Sequence, residues 1–130
     1  MIQLEHIAIW ADDLDALCAF YARYFGAETG PRYENSAKGF SSRFLGFGHG
    51  ARIEVMQTTA LALARHESGA QRHGLTHLAL SLGSESAVDA LTARLLADGY
   101  SVLDGPRRTG DGYYESVVLD PEGNRLELTA

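Results

Sequence analysis

Gly123-Asn124-Arg125-Leu126-Glu127-Leu128 decides how the chain is read, because Gly50-Ala51-Arg52-Ile53-Glu54-Val55 has the same form. Both copies fit G-x-R-[I/L]-E-[V/L]. A second pair recurs at nearly the same separation: His6-Ile7-Ala8-Ile9 and His77-Leu78-Ala79-Leu80. A repeat of this kind marks a duplicated structural unit, and it has to be found before any fold is considered.

Working outward, each half has the same order of elements. Leu4 to Trp10 is a short Ile-rich run expected as a buried strand. Asp12-Asp13 offers helix N-caps, and Leu14, Leu17, Cys18, Tyr21, Tyr24 and Phe25 form one helical stripe that stops at Gly26. Residues 27–57 form a strand meander with turns at Gly30-Pro31 and Lys38-Gly39, a strand over Phe40 to Phe47, and a last strand, Ala51 to Gln57. Ala60 to Arg65 is expected as a short helix and residues 66–73 as a connector. Then the order repeats. Leu75 to Leu82 is a strand. A helix follows, capped by Ser84 or Ser86, with Val88, Leu91, Leu95 and Leu96 as its apolar face and Gly99 at its end. Tyr100 to Leu103 is a strand, Asp104-Gly105-Pro106 a turn, Tyr113 to Leu119 a strand, Asp120 to Gly123 a tight turn, and Asn124 to Thr129 the last strand. The order is βαβββ twice, an α+β fold in one domain over residues 1–130, with modules at about 1–58 and 74–130.

Composition narrows the function. With 130 residues, 45% of them hydrophobic and 22% charged, the chain can bury a core. A net charge of −6 and the absence of any basic run argue against nucleic acid as the main partner. The single cysteine rules out an intrachain disulfide and fits a reducing compartment. No apolar run is long enough to span a membrane, and the N-terminus lacks the pattern of a signal peptide. A cytoplasmic protein without a membrane partner is expected.

The chemistry rests on four residues. In each last strand the glutamate is flanked by aliphatics, Ile53 and Val55 or Leu126 and Leu128, so Glu54 and Glu127 face away from them. A carboxylate set among strand-core residues is costly unless it is paired or metal-bound. His6 and His77 stand on the first strands. Two imidazoles and two carboxylates make a mixed N/O set for a divalent Zn, Ni, Co, Mn or Fe ion, with positions left for water or substrate. The expected metal ligands are therefore His6, Glu54, His77 and Glu127. Arg43, Tyr113 and Trp10 are expected to contact substrate. His49, His66 and His73 read as surface loop residues, and Cys18 as core rather than nucleophile. No phosphate-binding loop or nucleophile-elbow pattern occurs.

These motifs, L-E-H-I-A-I, R-I-E-V-M, L-T-H-L-A-L and above all D-P-E-G-N-R-L-E-L, resemble the glyoxalase/bleomycin-resistance/ring-cleaving dioxygenase group, the vicinal oxygen chelate superfamily. The resemblance runs along the whole chain. It implies paired βαβββ modules curling an open, mostly antiparallel sheet around a metal cleft, usually in a homodimer, and a small-molecule substrate. Glyoxalase I is similar in filling all four ligand positions, including that of Glu54. Ring-cleaving dioxygenases match at three, and bleomycin-resistance binders lack the metal set. Glu54 thus points to the lyase/isomerase branch, in which proton transfer beside a carbonyl passes through a metal-stabilised enediolate, with Glu54 or Glu127 as the base. A ring-cleaving dioxygenase and a non-catalytic antibiotic-binding resistance protein are the alternatives. One departure stands out. Glyoxalase I usually reads H-x-x-x-R on its first strand, where the arginine helps hold the glutathione carboxylate. Here that position is Trp10, so another α-hydroxycarbonyl or a CoA thioester enters consideration.

Overall fold

The computed structural model describes residues 1–60 and 67–130; the expected helix from Ala60 to Arg65 and the loop residue His66 fall almost wholly outside them. The chain divides into two compact units, Met1–Arg65 and His66–Ala130.

The first unit holds strand β1 (His6–Trp10), helix α1 (Leu14–Phe25), two short strands β2 (Glu28–Thr29) and β3 (Tyr33–Asn35), a single 3-10 turn (Ser36–Lys38), and strands β4 (Phe40–Gly46) and β5 (Arg52–Thr58). The sheet runs β1-β5-β4-β2, with β3 also on β4. β1 lies parallel to β5, and the other pairs are antiparallel. β1 is not the buried strand its apolar composition suggests, since none of its residues is buried and His6, Ala8 and Trp10 are exposed on one face. The turn expected at Gly30-Pro31 separates β2 from β3. Asp13 caps α1 by accepting from Ala16 N at 3.0 Å, and Gly26 closes it in the left-handed conformation at φ 65°, where a side chain would be strained. Leu14, Leu17, Cys18, Phe20, Tyr21 and Tyr24 are buried, and they meet Ile53, Val55 and Leu45 on one face of the sheet. Burying each large apolar side chain contributes roughly 1.5–3 kcal/mol.

The second unit repeats the plan with β6 (His77–Ser81), α2 (Glu85–Ala97), β7 (Val102–Arg108), β8 (Tyr114–Leu119) and β9 (Arg125–Thr129), in the order β6-β9-β8-β7. Again the first strand is parallel to the last. Ser84 is the N-cap. Val88 and Leu95 of α2 pack, fully buried, with Val118, Leu126 and Leu128. Leu96 does not join the apolar face as expected; it is 61% exposed, and Thr92 takes the inner position. There Thr92 Oγ1 donates to Val88 O at 2.6 Å and lies 2.7 Å from Ser116 Oγ, which can donate back to it. Both buried hydroxyls are satisfied, so the helix can bury them at little cost.

The expected turn at Asp104-Gly105-Pro106 is instead carried inside β7. This is the edge strand, and its register on β8 shifts on either side of Asp104. Edges and bulges are where a strand tolerates proline. Gly105 sits at φ 76°, and a Cβ there would come within 2.5 Å of Glu115 O, so only glycine fits. The tight turn before β9 is tied by Asp120, 4% exposed, whose Oδ1 accepts from Glu122 N and Asn124 N, each at 2.9 Å. Its Oδ2 accepts from Asn124 Nδ2. This fixes where β9, and so Glu127, begins.

Candidate metal centre

Each unit has a helix-covered face and an opposite face, and strand parity assigns residues between them. In the first unit, register pairs Ala8 with Glu54 and Glu54 with Phe44, while Ile7 pairs with Ile53 and Ile53 with Leu45. His6, Ala8, Trp10, Glu54 and Phe44 therefore share the face away from α1. In the second unit, register pairs Ala79 with Glu127 and Glu127 with Val117, which puts His77, Glu127 and Glu115 together on the face away from α2.

Within each unit the His and the Glu meet. His6 Nε2 is 3.5 Å from Glu54 Oε2, and His77 Nε2 is 3.2 Å from Glu127 Oε2. Both glutamates are the less exposed partner, 18% and 22% against 37% for each histidine. The other ring nitrogen is engaged in both cases: His6 Nδ1 hydrogen-bonds Glu5 Oε2, and His77 Nδ1 lies 2.9 Å from Thr76 Oγ1. Each pair thus sets one imidazole nitrogen beside one carboxylate oxygen. That donor chemistry fits a borderline divalent metal. Among the described residues, no group of three or more His, Cys, Asp or Glu side chains is placed to hold a metal. What the described residues bring together is each histidine with the glutamate of its own unit.

The residues expected at substrate are placed differently from one another. Trp10 lies on the His6 face, 45% exposed, with its ring edge-to-face on Phe40 at 6.2 Å. Phe40 also meets Tyr33 at 6.1 Å. Tyr113 is 57% exposed just ahead of β8, with its carbonyl accepting from Thr109 N. Arg43 is a correction. It pairs in register with Val55, which puts it on the helix-covered face. There its guanidinium donates to Asp15 Oδ1 of α1 at 3.1 Å and to Gly30 O at 2.9 Å, joining a network in which Arg32 bridges Asp15, Glu34 and Ser41. Arg43 ties the helix to the sheet and does not face His6. Cys18 is 2% exposed, and burial pushes its thiol up to about 11, which makes it a poor nucleophile at neutral pH.

Glu115 and Glu5 were missed in the sequence. Glu115 stands on the Glu127 face, and burial, then the Glu127 and Asp111 charges, push its carboxyl above the ordinary range. The alternation Glu115, Val117, Leu119 in β8 was a readable signal. Its register against β9 was not. Glu5 is held below the ordinary carboxylate range by its hydrogen bonds with His6 and then Arg52.

Comparison with known proteins identifies the family and the fold. The family model of the Glyoxalase/Bleomycin resistance protein/Dioxygenase superfamily matches residues 3–128. An uncharacterized Bacillus subtilis (strain 168) protein, YqjT, is 32% identical, with 98% of each chain covered. Among solved structures, a glyoxylase/bleomycin resistance protein/dioxygenase domain from Frankia sp. EAN1pec superposes with a TM-score of 0.81 at 19% identity, over 99% of this chain and 97% of that one. A trypanothione-dependent glyoxalase I from Leishmania major gives 0.77 at 20%, over 99% and 86%. Glyoxalase I from Zea mays gives 0.78 at 21%; the match covers 98% of this chain and only 44% of the maize protein. At these identities the structural likeness establishes the fold.

Proposed function

This chain belongs to the Glyoxalase/Bleomycin resistance protein/Dioxygenase superfamily, and from that premise we propose that it is a metal-dependent lyase or isomerase of the glyoxalase type acting on a small α-hydroxycarbonyl or thioester substrate. The observation that carries the reading is the doubled His–Glu pair: His6 with Glu54 and His77 with Glu127, at equivalent places in the repeat. Glu54 supports the lyase/isomerase branch in particular, because it supplies a second carboxylate.

In this reading His6 with Glu54, and His77 with Glu127, would each supply an imidazole nitrogen and a carboxylate to a divalent metal. When bound, the metal supplies a Lewis acid for two neighbouring substrate oxygens. The protein does the rest. With an α-hydroxycarbonyl, a carboxylate oxygen of Glu54 or Glu127 would take the proton from the hydroxyl-bearing carbon and return it to the former carbonyl carbon, while the hydroxyl proton passes to the other oxygen. With a thioester it would return the proton to the same carbon on the opposite face. Either way the glutamate ends as it began. Trp10 offers an aromatic surface on the same face as His6 in place of a cation. This disfavours recognition of a free carboxylate, such as glutathione's, at that position.

The test combines elemental analysis with turnover of a panel of hemithioacetals, hydroxyketones and acyl thioesters. Divalent metal should co-purify or bind on addition. Glu54→Gln and Glu127→Gln should each lower kcat, and the one that removes the base should lower it about 10²- to 10⁴-fold. Wild-type protein loaded with Ni, Zn, Co or Mn that is no faster than buffer on every substrate defeats the proposal. Oxygen uptake with catechols and Fe(II) would move the protein to the ring-cleaving branch.

A further inference from the structure

The two histidines occupy equivalent positions, and so do the residues that precede them. Glu5 stands before His6 and Thr76 before His77. In the first unit, His6 Nδ1 hydrogen-bonds Glu5 Oε2, while Nε2 points toward Glu54. Both nitrogens face a carboxylate, which can only accept, but Nδ1 is within hydrogen-bond distance of Glu5 while Nε2 is 3.5 Å from Glu54. In the neutral ring the hydrogen therefore goes on Nδ1, and the Nε2 lone pair is left for a ligand. Glu5 does not hang free. Arg52, which pairs with His6 in register, donates from Nε to Glu5 Oε1 at 2.9 Å and bonds the same oxygen through Nη2. Its backbone N–H also donates to Glu5 O at 2.9 Å. The Arg52 guanidinium lies 4.1 Å over the Phe44 ring, and Phe44 meets the His6 ring edge-on at 5.3 Å. Glu5, Arg52, Phe44 and His6 form a closed ring of contacts that fixes both the tilt of the imidazole and its hydrogen.

Among the described residues, the second unit shows no such ring. Thr76 offers a neutral hydroxyl to His77, and Arg125, the counterpart of Arg52, donates instead to Gly69 O at 2.8 Å. Among the described residues, the carboxylate support is found at His6 and not at His77.

We propose that Glu5, anchored by Arg52, is a positioning residue that sets His6 as the Nδ1–H tautomer with Nε2 presented as the donor atom. Its purpose rests on the metal-binding reading above, but its geometry does not. Partners of this kind typically change metal affinity by about 10- to 100-fold. Glu5 is exposed, so water can partly replace it, and the lower end is expected.

The experiment reads the tautomer directly, by long-range 1H–15N NMR of the metal-free protein near pH 9, where an ordinary imidazole is neutral. His6 should show Nδ1–H in the wild type. Glu5→Ala should shift it toward Nε2–H, and Glu5→Gln, whose carbonyl still accepts, should keep Nδ1–H. Zinc affinity by calorimetry should fall about tenfold in Glu5→Ala and much less in Glu5→Gln. Nε2–H in the wild type, or a spectrum unchanged in Glu5→Ala, overturns the proposal. If the tautomer responds as expected but zinc binds no variant, the positioning role stands and the metal reading falls.

Discussion

At the scale of single residues, adjacent positions on a strand do opposite jobs. Phe44 and Arg43 are neighbours in β4, yet Phe44 supports His6 while Arg43 grips Asp15 and Gly30 beneath the helix. Arg43→Leu should therefore act on stability and leave substrate binding alone. The loss is expected to be about 1 kcal/mol, since a partly exposed ion pair contributes little and the charged bond to Gly30 O contributes most of the rest. Chemical denaturation should show the lower midpoint, and KM for any turned-over substrate should stay within error of wild type. A large rise in KM at unchanged stability would return Arg43 to the site. Arg43's face was hidden in the sequence because a one-residue change in register reverses every side chain of a strand. The glutamates escaped that ambiguity because each is bracketed by aliphatics that must face the core.

At the scale of elements, the sequence was clear wherever the deciding contact is local. Asp13, Ser84 and Gly26 terminate helices through bonds within a few residues, and the structure uses all three. It was opaque where a partner strand decides. β7 absorbs Asp104-Gly105-Pro106 only because it is an edge with a shifting register, and nothing near those residues says so. Glu115 is the same case: its closeness to Glu127 is a property of the β8–β9 pairing. That closeness has a pH signature. The Glu115 carboxyl is raised, chiefly by burial and then by Glu127. A raised pKa in the folded state means that stability is fully present below the unfolded value of 4.5 and is lost as pH rises through the folded value. Ionised Glu115 thus weakens the metal-free fold at neutral pH. Glu115→Gln should raise the Tm of metal-free protein at pH 7, by an amount worth under about 1 kcal/mol. The gain should shrink toward zero as the pH falls below 4.5. A gain of the same size at both ends of the range would mean that charge is not its cause.

At the scale of the whole molecule, the duplication poses a question of stoichiometry. Each unit carries its own helix, sheet and His–Glu pair. Two donors from one pair make a weak site, because first-row divalent ions take four or more ligands. If one ion draws on both pairs, protein titrated with zinc should bind about one ion per chain. His6→Ala and His77→Ala should then be equally damaging, since each removes a donor from the same ion. If each pair acts alone, about two ions per chain should bind weakly, and each substitution should remove one while sparing the other. The repeat by itself allows both outcomes. Independent weak sites, each indifferent to substitution in the other unit, would leave the duplication as a feature of folding and remove the basis for a catalytic metal.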